Sequence, residues 1–337
     1  MIKNEKGSIL VITSGFVLAF TMLGLAGLYM AGQENEMADR LRASTQALWL
    51  AEAGIERTRA TFPVTPPTSE QNLGLGTYQA TSTTVNSGKW TVTSKGMINL
   101  YTGKDSSASN QPQVRTIQAT LATYTISDAI KSEDFLRCNN SYDINQCKAF
   151  VNGPISQLVS VKLGEVFKGL TENNVISAAT STNTKYNYDD YVASPSTHPI
   201  KNVTVIDATT TDPSNNSPTP IVEINTDSFT GTEIPFLYIR ANDSIRNIVP
   251  TIKFTGSKPF NGVLWVNVSA RANISQTSGF NGTIFIQGDG NAQNELDSTD
   301  LTKKIIYDET VVDKAIANLG NFWTTNSRPT IVDWKEL

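Results

Sequence analysis

The sequence predicts an α+β protein: a long N-terminal helix, half membrane-spanning and half amphipathic, an antiparallel β-sheet head, and a C-terminal β-rich domain of β-solenoid-like character. Three observations carry that expectation. Residues 9–31 contain no charged side chain. Polar and apolar residues alternate over strand lengths within residues 77–125. Finally, Phe260-Asn261-Gly262-Val263-Leu264-Trp265-Val266 recurs twenty residues later as Phe280-Asn281-Gly282-Thr283-Ile284-Phe285-Ile286.

The uncharged run is long enough to cross a bilayer core, which takes about 20 residues at 1.5 Å each. Lys3 and Lys6 precede it and Gln33, Glu34 and Glu36 follow it, so the positive-inside bias places the amino terminus in the cytoplasm and nearly all of the chain outside. A secretory signal is the competing reading, but its apolar core spans about 7 to 15 residues and ends at a cleavage site. Here Met37, Leu41, Leu48, Ala51 and Ile55 continue a helical spacing beyond the run. One helix over residues 8–62, roughly 80 Å long, is expected. Pro63, Pro66 and Pro67 end it.

The stretches NEKGSILVITSGFVLAFTMLGLAG and LWLAEAGIERTRA resemble the amino-terminal region of type IV minor pilins of the PilX-like group and of the K-type pseudopilins of type II secretion. The resemblance covers about the first 60 residues and, more loosely, the strand-rich region to Tyr124. It implies a leader, residues 1–7, that a prepilin peptidase removes between Gly7 and Ser8; a cut between Gly15 and Phe16 is the alternative and would leave an apolar leader. It also implies assembly machinery and other pilins as partners, with the subunit held in the inner membrane before assembly and in an extracellular filament afterwards. Most pilins carry Glu at the fifth mature position, and that position here is Ile12. An unpaired carboxylate in a bilayer costs a few kcal/mol, so pilins keep it for a pairing role that Ile12 cannot perform. K-type pseudopilins also lack it and sit at the filament tip.

Composition fits an exported, non-enzymatic protein. The 337 residues include 17% charged side chains with a net charge of −4, which offers no general attraction to nucleic acid or anionic lipid. One histidine, His198, leaves almost no material for a His-based triad or a multi-His metal site. Cys138 and Cys147 enclose a short segment and form a disulfide in an oxidising compartment; two free thiols or half of a metal site are the competing readings.

Residues 63–125 read as the head, with strands at 77–85, 89–94 and 114–125 and turns at 86–88 and 103–111. Residues 126–220 are mixed. Ser127 is placed to cap a short helix through Ala129, Ile130 and Phe135, and residues 177–217 read as a polar loop. In that loop Tyr186, Tyr188 and Tyr191 surround Asp189 and Asp190. Adjacent carboxylates rarely converge on one bond, so surface tyrosines that contact carbohydrate are the preferred reading.

The Phe-Asn-Gly repeat fits stacked coils over residues 221–300, with further strands at 221–224, 236–239 and 251–254; a hairpin pair in a sandwich is the alternative. Asp289, Asn291, Glu295, Asp297 and Asp300 offer oxygen ligands of the kind calcium prefers, without EF-hand spacing, and ordinary turn chemistry competes with that reading. Asn202, Asn242, Asn267, Asn273 and Asn281 open Asn-X-Ser/Thr triplets. Residues 301–337 form a tail. Together these readings predict a structural filament subunit, at or near a tip, with a priming or adhesive role toward a surface carbohydrate or host-surface ligand. A membrane-anchored adhesin and a carbohydrate-active enzyme are the alternatives.

Overall fold

A computed structural model describes residues 5–61, 69–86, 88–99, 112–124, 126–133, 135–139, 141, 143–158, 161–209, 221–229, 232–241, 251–268, 273–276, 278–288, 293–298, 301–302, 304–320 and 329–337. The chain opens with α1 (Glu5–Thr61), 57 residues in one helix, about 85 Å long. Its second half buries Ala43, Ala47, Leu50, Ala51 and Ile55, a row spaced three or four apart that forms a single face. Against that face lies an antiparallel meander of β1 (Gln71–Leu73), β2 (Gly76–Asn86), β3 (Lys89–Ile98) and β4 (Gln113–Ala122). Alternate residues of β3, namely Val92, Ser94, Gly96 and Ile98, point at the helix, as do Ile117, Ala119 and Leu121 of β4.

Helix and sheet meet closely because both contribute small residues. A Cβ at Gly96 would stand 1.9 Å from the Ala47 carbonyl oxygen, and one at Gly76 would stand 2.5 Å from a Leu50 methyl. The strands expected at 77–85, 89–94 and 114–125 are thus found, the last ending at Ala122. β3 runs on to Ile98 because its inward row continues through Gly96. The turn expected at 103–111 and the prolines that follow α1 lie outside the described residues.

The next strands are β5 (Ile130–Glu133), β6 (Phe135–Cys138), β7 (Val151–Asn152) and β8 (Ile155–Leu158), with α2 (Ile144–Lys148) between β6 and β7. The helix expected after Ser127 does not form. Ile130 pairs instead with Ile284 and Ile155 in parallel ladders, and Thr283 Oγ1 donates to the Asp128 carbonyl. Pairing with strands distant in sequence overrides the local cap signal.

Residues 177–217 are likewise not one loop. They contain the end of α4 (Glu172–Ser181), β9 (Lys185–Asn187), α5 (Tyr188–Ala193) and β10 (Val203–Ala208); α3 (Leu163–Val166) precedes them. Thr171 and Asn174 form a capping box that starts α4, and Thr184, Tyr191 and Val205 supply the buried anchors that a polar composition conceals.

From β10 the chain alternates between two sheets. β10, β12 (Phe236–Ala241), β14 (Phe260–Val268), β16 (Phe280–Gln287) and β18 (Ile305–Ile306) join a nine-stranded sheet with β9, β7, β5 and β8. β11 (Ile221–Asn225), β13 (Thr251–Thr255), β15 (Asn273–Gln276) and β17 (Gln293–Ser298) join β6 in a five-stranded sheet. Pairing within both sheets is parallel throughout. The repeat pairs with itself in register: Phe260 with Phe280, Asn261 with Asn281, Gly262 with Gly282. A hairpin would pair antiparallel, so that alternative is excluded.

Each position of the motif has a physical reason. The Phe260 and Phe280 rings lie 5.0 Å apart, and Asn281 Nδ2 donates to Asn261 Oδ1 at 2.9 Å. Gly282 has φ +134, and a Cβ there would meet the Gly262 carbonyl oxygen at 1.9 Å. Only glycine serves at such a position.

The nine-stranded sheet is covered on both faces. Leu237, Ile239, Leu264, Val266, Ile284 and Ile286 face the five-stranded sheet. Phe236, Tyr238, Val263, Trp265 and Phe285 face Phe167, Val175 and Ala179, and also α6 (Glu309–Ala317) through Val312 and Ile316. This is why β10 is buried at every position, whereas β11 alternates.

The last strand, β19 (Thr330–Glu336), returns to pair antiparallel with β4. The head sheet therefore runs β1-β2-β3-β4-β19, and the parallel sheets are an insert between its last two strands. Lys89 Nζ bonds Glu309 at 2.6 Å and Asp313 at 3.0 Å, and the Tyr124 hydroxyl donates to Asp313 at 2.5 Å, joining insert to head.

Candidate functional site

The first half of α1 touches nothing else among the described residues. Ile9, Leu10, Val11, Phe16, Leu18, Phe20, Leu23, Leu25 and Leu28 are all exposed, and this is the one helix among the described residues long and apolar enough to cross a membrane. Three of its hydroxyls are satisfied by its own backbone: Thr13 donates to the Ile9 carbonyl at 2.8 Å, Ser14 to that of Val11 at 2.9 Å, and Thr21 to that of Val17. Internal satisfaction of this kind suits apolar surroundings. Gly7 and Ser8 lie on the helical backbone, and their side chains are outside the described set. Ile12 sits on the exposed surface. Adding a Cβ at Gly15, Gly24, Gly27 or Gly32 would meet nothing within 4 Å, so a neighbouring helix has close access there.

Beyond the apolar half, Glu36–Arg40 and Asp39–Arg42 pair along the helix at 2.6 and 3.5 Å. Both pairs are exposed and contribute only a few tenths of a kcal/mol each.

Cys138 and Cys147 form the disulfide, fully buried, with a Cα–Cα distance of 5.3 Å. It ties the end of β6 to α2, whose N-cap is Asp143. Of the oxygen ligands read from the sequence, Asp289, Asn291 and Asp300 lie outside the described residues. Glu295 and Asp297 lie on β17, where Glu295 pairs with Arg137 at 3.2 Å. Burial, then the Glu295 charge, raises the Asp297 pKa above its ordinary value. Among the described residues no group of three or more His, Cys, Asp or Glu converges on one point.

The acceptor triplets divide by environment. The Asn267 amide donates to the Tyr238 hydroxyl and that of Asn281 to Asn261, so packing uses both. Asn202 is exposed on a left-handed turn at φ 51. Asn273 is in β15, and Asn242 is outside the described residues.

The tyrosine tract and the single histidine, far apart in function by sequence, meet beyond β9. The Tyr186 and His198 rings meet at 78° with centroids 4.8 Å apart, and Tyr186 stacks on Tyr191 at 6.3 Å. The Tyr186 hydroxyl donates to the Pro199 carbonyl at 3.0 Å and that of Tyr191 to Glu223 at 3.1 Å. Burial raises the pKa of both. His198 Nδ1 lies 2.8 Å from the Ser194 carbonyl oxygen, which assigns the proton to that nitrogen. Asp189 and Asp190 are exposed in the first turn of α5.

His198 and Pro199 form a ridge between two clefts. One, of about 820 Å³, has Tyr191, Ile200, Ile221, Glu223 and Phe229 in its walls. The other, of about 660 Å³, is polar and includes Asn183, Lys185, Tyr186, Asn187 and Lys201. Lys185 and Lys201 carry no sequence signal for a site, because β9 and the turn before β10 become neighbours only through sheet pairing. Comparison with protein-family models, curated proteins and solved structures gave no match to this chain.

Proposed function

We propose that this chain is a minor pilin or pseudopilin of a type IV pilus-like filament, held in the membrane by α1 and placed at or near the tip, with a priming or adhesive role. The observation that carries the reading is α1 itself: one continuous helix, bare over its apolar half and packed on an antiparallel meander over the other. A helix of that kind has two uses in sequence, first as a membrane span and then as a rod packed among similar helices. Two further features favour a terminal place. Ile12 removes the charge pairing of the fifth mature position, and the insert between β4 and β19 makes the head bulky for a repeating shaft.

In this reading the alternating parallel strands are coils of a β-solenoid, a rigid stalk that displays its far end. The amino terminus is cytoplasmic before processing, the peptidase cuts between Gly7 and Ser8, and the subunit then leaves the inner membrane for the filament. The chain performs no catalysis.

The test is the amino terminus of the protein in filaments sheared from native cells, determined by mass spectrometry. A chain that begins at Ser8 in that fraction supports the proposal. An intact Met1 confined to the membrane fraction refutes it and favours a static, membrane-anchored adhesin.

A further inference from the structure

The polar cleft beyond β9 lies at one end of the nine-stranded sheet, three strands from β14, on which α6 packs. At about 4.8 Å per strand it stands roughly 14 Å beyond that contact. Its volume of about 660 Å³ is in the range of small-ligand sites. Three kinds of group line it. Lys185 and Lys201 face a single lining carboxylate, Asp190, on a protein whose net charge is −4. Lys185 is only loosely tied, 4.0 Å from Asp207, whose nearer partner is Arg240 at 2.9 Å. Asn183 and Asn187 supply amide groups that both donate and accept, the Asn187 amide already reaching Asp190 at 3.4 Å, and the Thr182 hydroxyl, which donates to the Ala178 carbonyl, adds an acceptor. Tyr186 adds an aromatic ring that its hydrogen bond to Pro199 and its contacts with Tyr191 and His198 hold in place.

We infer that this cleft binds a saccharide bearing a carboxylate, of the uronic-acid class. Lys185 and Lys201 meet the carboxylate, Thr182, Asn183 and Asn187 meet ring hydroxyls, and the Tyr186 ring meets the C–H face of the sugar. A neutral sugar would make no use of the two ammonium groups, and a simple inorganic anion would leave the ring and the amides without a role. The inference deepens the adhesive reading and rests on it, by naming the class of surface polymer that the displayed end would hold.

Trigalacturonate is the probe, titrated calorimetrically against the full chain in lipid nanodiscs, with maltotriose and inorganic phosphate as comparators. Saturable binding of trigalacturonate is expected, at least tenfold tighter than maltotriose and weakened tenfold or more by Lys201→Gln and by Asn187→Ala. Affinity should also fall as salt is raised from 0.05 to 0.5 M, since a partly exposed ion pair is screened. Both variants change solvent-accessible side chains, and unchanged thermal unfolding verifies that they fold. No saturable binding, equal binding of maltotriose, displacement by millimolar phosphate, or full affinity in both folded variants would each overturn the inference. Filament incorporation is read separately from the amino terminus in sheared filaments, so either conclusion can fail while the other stands.

Discussion

Replacing Gly96 by Ala tests the account of how the head is held on its helix. The added Cβ would lie 1.9 Å from the Ala47 carbonyl oxygen, 2.6 Å from the Ala51 nitrogen and 2.9 Å from the Leu50 Cβ. Ordinary contact begins near 3.4 Å, so α1 must retreat by about 1.5 Å (3.4 − 1.9) or β3 must bow outward. Two of the three obstructing atoms are backbone, and no side-chain rotation relieves them. Overpacking of this kind costs about 1–3 kcal/mol. A gap of even 0.5–1 Å then forfeits roughly a quarter to a half of the dispersion energy along the seam, where Ala51, Ile55, Val92, Ile117 and Leu121 are packed. The expected loss is about 3 kcal/mol, which converts to about two orders of magnitude in the hydrogen-exchange protection of β3 and β4 amides. Exchange by mass spectrometry resolves these strands from the insert and is the assay of choice. Gly32→Ala is the control, because its Cβ meets nothing within 4 Å. Protection in the Gly96→Ala protein within threefold of the parent would refute the close-contact argument.

Other outcomes follow from the same structure. Gly282→Ala combines a φ of +134 with a 1.9 Å clash on Gly262 and should expose β14 and β16 to exchange, whereas Asn281→Ala, which loses one ladder bond, should cost only about 1 kcal/mol in urea unfolding. Reducing the Cys138–Cys147 bridge opens a loop with a sequence separation of 9 and should lower stability by about 2–3 kcal/mol, read by urea unfolding with and without reductant. Burial lowers the Lys89 pKa, but the bonds to Glu309 and Asp313 more than reverse this and leave it raised; burial and then Asp313 raise that of Tyr124. Groups with raised folded pKa values stabilise fully below their unfolded values and lose that contribution as pH rises through the folded ones. Stability should therefore hold through neutral pH and fall above about pH 10, and the alkaline fall should shrink in Tyr124→Phe.

Legibility in the sequence tracked the range of the interactions. α1 and the meander were readable because their signals are local: an uncharged run, a period of three to four, and alternation in β3 and β4. The Phe-Asn-Gly repeat was readable because its copies become neighbours in register. The structure departs from expectation where distant strands decide the outcome. Ile130 is a strand residue because Ile284 and Ile155 flank it. The segment IVDWKEL has no buried row of its own, yet it forms β19 because β4 offers an open edge. The candidate cleft was half visible. Its tyrosines and histidine stood out by composition, while Lys185, Lys201 and the asparagines gain meaning only once β9 pairs with β10.

The return of β19 bears on mechanics. The chain leaves the head at the end of β4 and re-enters beside it, with Thr330 opposite Ala122. That end of the sheet is the one farthest along α1 from the apolar half, since Gly96 meets Ala47 whereas Gly54, further along the helix, meets Ser94. Tension on the insert thus enters the head through two adjacent strands drawn in the same direction, away from the apolar half of α1. Such a pull must slide whole ladders of hydrogen bonds at once, instead of peeling them singly. The head is arranged to bear traction along β4 and β19 and to yield more readily to a pull across them.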